Sequence, residues 1–159
     1  MEELKMDIYE VIKEKNIDFP GKPIPAGNYS LAVKAGDFVF TSGQTPKKNG
    51  VLIAKGKIGE VITPEDGYML ARRATLNALA AIESVIEDLN KIEKIVKVTV
   101  FVNSAPGFTG QVQAANGVTD LLVDMFGIEN GRPARSAVGV AELPGDAPCE
   151  VELIALLKK

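Results

Sequence analysis

The stretch TPEDGYMLARRATLNALAAIESVIEDLNKIEKIVKVTVFV, residues 63–102, encodes a long helix and the strand that follows it. Thr63 suits an N-cap, Pro64 suits the first helical turn, and Asp66 lies three residues past the cap. These signals predict a helix from residue 63 to about residue 88. Its apolar stripe is rich in alanine, which allows close packing on a sheet, and consists of Leu70, Ala74, Ala78, Ala81 and Val85.

The segment IVKVTVFV, residues 95–102, is rich in β-branched and aromatic residues and predicts a central strand. On the N-terminal side, the patterns predict a helix over 2–15, with Leu4, Ile8, Val11 and Ile12 at helical spacing, and an irregular stretch over 19–27. A hairpin of strands 29–33 and 38–41 and a short edge strand over 53–58 follow. On the C-terminal side, they predict a helix over 114–126 ended by Gly127 and strands over 136–141 and 149–156.

This order, α, β-β, α, β, α, β-β, lacks the regular strand–helix alternation of a doubly wound fold. It predicts an α+β domain in which a mixed sheet carries two long helices on one face. The other face also needs cover, and self-association is the simplest way to provide it. We expect one domain over residues 1–159, with residues 1–27 forming an N-terminal helix and irregular linker and residues 28–159 the main body.

Composition excludes several classes of function. The 159 residues include no histidine and a single cysteine, Cys149, so Ser-His-Asp and Cys-His catalysis, thiolate zinc clusters and intrachain disulfides are ruled out. The net charge of −3 and the absence of a basic stripe argue against nucleic-acid binding. No apolar run approaches the ~20 residues of a membrane span, and no signal peptide is evident, so we expect a cytoplasmic protein.

Arg135 begins a strand on which alternate residues share a face. Ala137 and Gly139 follow it on that face, which would leave room for a ligand above a small floor. Arginine grips carboxylates with two parallel hydrogen bonds, so we predict a carboxylate site here. The face with Val138 and Val140 is expected to be core. The alternative is that Arg135 forms an interface or surface salt bridge.

Glu150 shares its strand face with Glu152 and Ile154, an unusual combination for a solvated face. A partly buried glutamate has a raised pKa and can hold or deliver a proton near neutrality. We therefore predict a catalytic role for Glu150, the alternative being two solvated acids on an edge strand.

Two weaker candidates are Tyr29, whose hydroxyl could bind a ligand, and Asn116. Asn116-Gly117 lies inside a predicted helix, where the glycine alone costs about 1 kcal/mol, so the pair indicates either function or close packing. Cys149 neighbours acids that disfavour a thiolate, and we expect it to be inert.

Together these segments resemble the YjgF/RidA family, whose members are also named endoribonuclease L-PSP or translation inhibitor. The resemblance covers residues 29–157. It is carried by Tyr29, GDFVFTSGQ at 36–44, VTVFV at 98–102, RPARSAV at 132–138, Leu143-Pro144 and EVE at 150–152. The N-terminal helix and a longer loop near Pro106 are similar to the longer branch of that family.

The resemblance implies a chorismate-mutase-like fold, a homotrimer with sites in the clefts between subunits, and hydrolytic deamination of 2-iminopropanoate and 2-iminobutanoate without metal or organic cofactor. By motif position, Arg135 matches the substrate-carboxylate arginine, Glu150 the acid that assists water attack, and Tyr29 and Asn116 the substrate-binding tyrosine and asparagine. Ala137 stands where many members have cysteine. Two other classes stay open: a non-catalytic trimer that binds small carboxylates, and a ribonuclease, against which the missing histidine argues.

Overall fold

A computed structural model describes residues 6–159 and confirms the α+β class. A five-stranded mixed sheet has the order β1-β2-β7-β5-β6, in which only the β5–β6 pair is parallel. The elements are α1 (Ile8–Glu14), β1 (Ala32–Ala35), β2 (Phe38–Thr41), β3 (Lys47–Lys48), β4 (Val51–Leu52), α2 (Pro64–Ile86), β5 (Ile92–Asn103), α3 (Gln111–Gly131), β6 (Ala134–Val140) and β7 (Cys149–Leu157), with short 3-10 turns at Leu89–Lys91 and Pro144–Asp146.

The long helix α2 begins as its sequence predicts. The Thr63 side chain accepts a hydrogen bond of 3.1 Å from the backbone N–H of Asp66, and the helix ends at Glu87, whose φ is 69°. Four members of the predicted apolar stripe are buried. Val85 is the exception, since it is 38% exposed and lies at the margin of the stripe.

Helices α2 and α3 lie side by side on one face of the sheet, and a glycine allows their close approach. A Cβ added to Gly117 would lie 2.1 Å from the backbone oxygen of Tyr68 on α2. Only glycine therefore permits this contact between the helices. Packing therefore explains the glycine of the Asn116-Gly117 pair, which is unfavourable inside a helix.

Several predicted elements differ from the observed ones. Helix α1 begins at Ile8 because Asp7 caps it, and Leu4, predicted to lie on the apolar side of this helix, is outside the described residues. Strand β1 begins at residue 32, so Tyr29 precedes it. The predicted edge strand over 53–58 is wrong: a short hairpin of β3 and β4 precedes it instead. Gly127, with φ 78° and ψ 170°, has a non-helical backbone and separates the main part of α3 from a short helical continuation to Gly131, so the predicted end of the helix at Gly127 is confirmed.

The predicted assignment of the two faces of β6 is also wrong. Ala137 packs against the core beneath α3, on the same face as Arg135, whereas Val138 is 40% exposed on the face without helices. Apolar side chains on β1 and β2, at the other side of the sheet, share that open face: Val33 (53% exposed), Phe38 (39%) and Phe40 (43%). Within the protomer, the face opposite the helices therefore stays uncovered, as the topology predicted.

Candidate functional site

Arg135 lies at the start of the edge strand β6 and reaches toward α3. Its Nη1 donates hydrogen bonds of 2.8 Å to Oδ1 of Asn116 and 3.2 Å to Oγ1 of Thr119. Because Asn116 and Thr119 are three residues apart on a helix, both side chains face the same strand. The fold thus joins two residues, Arg135 and Asn116, that were predicted separately.

A cleft of about 610 Å³ opens beside the Arg135 guanidinium. Two of its acids are engaged with other partners: Asp120 accepts a hydrogen bond of 2.8 Å from the Tyr68 hydroxyl, and Asp124 lies 3.5 Å from Nη1 of Arg72. Burial, and then the bond to Asp120, raise the pKa of Tyr68. We name this the Arg135 cleft, lined by Tyr68, Thr119, Asp120, Val123, Asp124, Ile128, Arg132, Pro133 and Arg135.

The small floor predicted beyond Arg135 is not open space. A Cβ added to Gly139 would lie 2.9 Å from Nε2 of Gln111 and 3.0 Å from Oγ of Ser104. Ala137, between Gly139 and Arg135 on this face, packs against the core. Gly139 therefore makes room for Gln111 of α3, and space for a ligand lies beside the guanidinium instead.

Glu150 lies near the start of the central strand β7, against a glycine. A Cβ added to Gly43 would lie 1.8 Å from Oε1 of Glu150, so the carboxyl group occupies the space that a side chain would need. Burial, and then the nearby charge of Glu152, raise the pKa of Glu150. The half-buried carboxyl group therefore binds its proton more tightly than an ordinary glutamate does.

Cys149 points to the opposite side of β7 and is fully buried. Burial, reinforced by the charge of Glu150, raises the pKa of its thiol to about 12. A thiol with that pKa is unreactive at neutral pH, as the sequence predicted.

Tyr29 lies in the segment before β1 and is 50% exposed. It lines the same cleft as Glu150 and Gly43, a space of about 970 Å³ that is also bordered by the irregular stretch 18–24. We name this the Glu150 cleft. The predicted site residues therefore fall into two groups: Arg135, held by Asn116, lines one cleft, and Tyr29 and Glu150 line the other.

Within one protomer the side chains of Arg135 and Glu150 point to opposite faces of the sheet. In the register of the strands, Arg135 pairs with Val98 of β5, and Glu150 pairs with Phe101, three residues further along the same strand. Residues an odd number apart on a strand point to opposite faces, so Arg135 and Glu150 lie on opposite sides of the sheet. A single chain does not bring them into one site.

Sequence reasoning missed two residues of these clefts, Thr119 and Gly43. The spacing of Asn116 and Thr119 on α3 was a usable signal, since polar residues three apart share a helix face.

Among residues 6–159, no group of three or more potential metal ligands converges, and no helix in that range is long and apolar enough to cross a membrane.

The amino-acid sequence is similar to those of known proteins. The family model described as Endoribonuclease L-PSP matches residues 20–157. Protein TCP17 from Trypanosoma cruzi is 38% identical over 92% of this chain and 91% of its own length. A 2-iminobutanoate/2-iminopropanoate deaminase from Escherichia coli K12 is 33% identical over 89% of this chain and 97% of its own length.

Solved structures show the same fold. The protein Atu1372 from Agrobacterium tumefaciens, of unknown function, superposes with a TM-score of 0.84 at 30% identity and covers 94% of this chain and 91% of its own. TdcF from E. coli, solved with bound serine, gives a TM-score of 0.58 at 30% identity, covering 87% of this chain and 94% of its own. The first match extends over more of this chain than the second, and both support the assigned topology.

Proposed function

The chain belongs to the endoribonuclease L-PSP family, which includes the YjgF protein, and on that premise we propose that it hydrolyses small 2-imino acids to 2-keto acids and ammonia. The substrates we propose are 2-iminopropanoate and 2-iminobutanoate. The E. coli relative named for this activity, at 33% identity, supports the choice. The bound serine in TdcF supports a ligand of the size and charge of a small amino acid.

The observation that carries the proposal is that α3 fixes the Arg135 guanidinium through only some of its N–H donors. Within residues 6–159, Nη1 has two hydrogen-bond partners on α3, whereas Nε and Nη2 have none. No carboxylate in that range forms a salt bridge with Arg135. A fixed cation with free N–H donors beside a cleft is suited to bind the carboxylate of a small acid.

Glu150 supplies the proton chemistry in this proposal. Its carboxylate oxygens would hold a water molecule, and its raised pKa favours accepting a proton as that water attacks the C=N carbon and then delivering the proton to the nitrogen. The attack gives a carbinolamine, and loss of ammonia from it gives the 2-keto acid. Tyr29, in the same cleft, would hold the substrate.

Because Arg135 and Glu150 lie on opposite sides of the sheet, we propose that each site forms between two copies of the chain. One copy would provide Arg135 and Asn116, and the next would provide Glu150 and Tyr29. The uncovered apolar face with Phe40 supports association, since exposed patches of this kind mark interaction surfaces. A homotrimer with three equivalent clefts is the assembly we propose.

The test is ammonia release from an imine generated in situ by an amino-acid oxidase, measured with and without the protein. The proposal expects faster ammonia release with wild type and none above background with Arg135→Ala. Binding of 2-ketobutyrate without any acceleration would instead favour the non-catalytic carboxylate-binding trimer. The family's description suggests the ribonuclease alternative, but the absence of histidine and the net charge of −3 argue against it.

A further inference from the structure

Thr119 is one helical turn beyond Asn116 on α3 and completes the contact with Arg135. Its hydroxyl accepts a hydrogen bond of 3.2 Å from Nη1 of Arg135 and donates one of 3.4 Å to the backbone oxygen of Ala115. The donated bond directs the hydroxyl proton away from the guanidinium. A lone pair of Oγ1 is therefore presented to the cation.

A guanidinium carries five N–H groups, two of them on Nη1. Nη1 donates to Asn116 on one side and Thr119 on the other, so both of its N–H groups are engaged with α3. A carboxylate can pair with the edge formed by the two Nη atoms or with the edge formed by Nε and Nη2. The first edge is occupied by α3, which leaves the second edge for a ligand.

The acids of the Arg135 cleft leave that second edge uncontested. Asp120 accepts the Tyr68 hydroxyl, and Asp124 pairs with Arg72, so neither carboxylate pairs with the guanidinium. We infer that Thr119 is a positioning residue that fixes Nη1 together with Asn116 and directs the Nε–Nη2 edge to the substrate carboxylate. This inference rests on the proposed function, because it assumes that Arg135 binds the substrate.

The first test compares Thr119→Val with Thr119→Ser. Valine keeps the shape but leaves an Nη1 N–H unpaired beside a methyl group, whereas serine keeps the hydroxyl. We expect Thr119→Val to raise both the Kd for 2-ketobutyrate, by calorimetry, and the KM for imine hydrolysis by about three- to tenfold, the loss expected for one hydrogen bond. The kcat should change by less than about twofold, because Thr119 does not contact the Glu150 side.

Thr119→Ser should restore wild-type Kd and KM, which a merely structural role for the threonine methyl would not predict. Thermal denaturation shows whether each variant is folded. If Thr119→Val does not fold, Thr119→Ala replaces it, since alanine also removes the hydroxyl without adding bulk.

The second test detects the edge that binds. In ¹⁵N-edited NMR spectra of the wild-type protein, the Nε–H signal of Arg135, assigned by its loss in Arg135→Ala, should shift when 2-ketobutyrate saturates the site. An unshifted signal at saturation would overturn the inference. So would Thr119→Val binding as tightly as wild type while Arg135→Ala has lost binding. If Arg135→Ala itself binds normally, the proposed function fails, and the inference fails with it.

Discussion

The Asn116 side-chain oxygen accepts a hydrogen bond of 2.8 Å from Nη1 of Arg135, joining the helix α3 to the edge strand β6. The adjacent Gly117 lets the same helix approach the backbone of Tyr68 on α2. The Asn-Gly pair therefore has two separate purposes, one toward the arginine and one toward the neighbouring helix. Tertiary contacts on both sides of α3 therefore account for a local sequence that opposes helix formation.

Replacing Arg135 tests its role in carboxylate binding. Arg135→Ala should weaken 2-ketobutyrate binding by about 2–5 kcal/mol, because a desolvated carboxylate loses its charge partner. Arg135→Lys should recover little, since a point charge cannot reproduce the paired geometry. Titration calorimetry measures both. Arg132→Ala, which removes a charge in the same cleft, is the control and should weaken binding far less. If Arg135→Ala binds 2-ketobutyrate with wild-type affinity, Arg135 has a structural role and does not bind the carboxylate.

The raised pKa of Glu150 predicts a specific dependence of stability on pH. The folded protein holds this proton more tightly than the unfolded chain, whose glutamate titrates near its ordinary value of 4.5. The bound proton of Glu150 therefore contributes its full amount to the free energy of unfolding below that value. The contribution is lost as pH rises through the pKa of the folded state. Glu150→Gln should therefore gain stability relative to wild type at neutral pH but not at pH values below 4.5.

Urea denaturation across this range measures the effect. Glu60→Gln, on an exposed loop, controls for the loss of one negative charge. A difference between Glu150→Gln and wild type that stays constant with pH would show that Glu150 is not responsible.

Gly43 is predicted to be required because Glu150 occupies the position of its missing side chain. Gly43→Ala places a Cβ 1.8 Å from Oε1 of Glu150, so the carboxyl group must move. Turnover should fall about ten- to hundredfold, since displacement of a catalytic group by about an ångström has effects of this size. Gly21 borders the same cleft, and a Cβ added there would have no atom within 4 Å. Gly21→Ala is therefore the control and should keep wild-type turnover.

Gly117→Ala should destabilise the fold even though alanine favours helices. The added Cβ would lie 2.1 Å from the backbone oxygen of Tyr68, and overpacking of this kind costs about 1–3 kcal/mol. Gly67→Ala on α2 is the matched control, because its Cβ would meet the end of the movable Ile58 side chain at 2.8 Å. Thermal denaturation should show the larger loss for Gly117→Ala, and equal losses would count against the backbone contact.

Local signals determined the parts of the fold that the sequence predicted well. The Thr63 cap and the alanine stripe define α2, and the β-branched run over 95–102 lies within β5. Short elements such as β3 and β4 pair only two residues each and have too few side chains for a periodic pattern.

The faces of β6 could not be predicted from alternation. Alternation separates Arg135 from Val138 but does not say which of them faces α3. Valine is typical both of a core and of a surface that associates with another copy, so its apolar character does not distinguish the two faces. The two site halves were predicted residue by residue, but their separation by the sheet depends on strand register, which the sequence does not reveal.

The central claim is that two copies of the chain share each site, and mixing two inactive variants tests it directly. Arg135→Ala and Glu150→Gln chains, each inactive alone, are refolded together in equal amounts, and sedimentation equilibrium checks that trimers of the 16.9 kDa chain form. With random assembly, about a quarter of the sites then combine an intact Arg135 with an intact Glu150 from the neighbour. We predict ammonia release at about a quarter of the wild-type rate per chain, and mixed trimers with no activity would contradict the shared site.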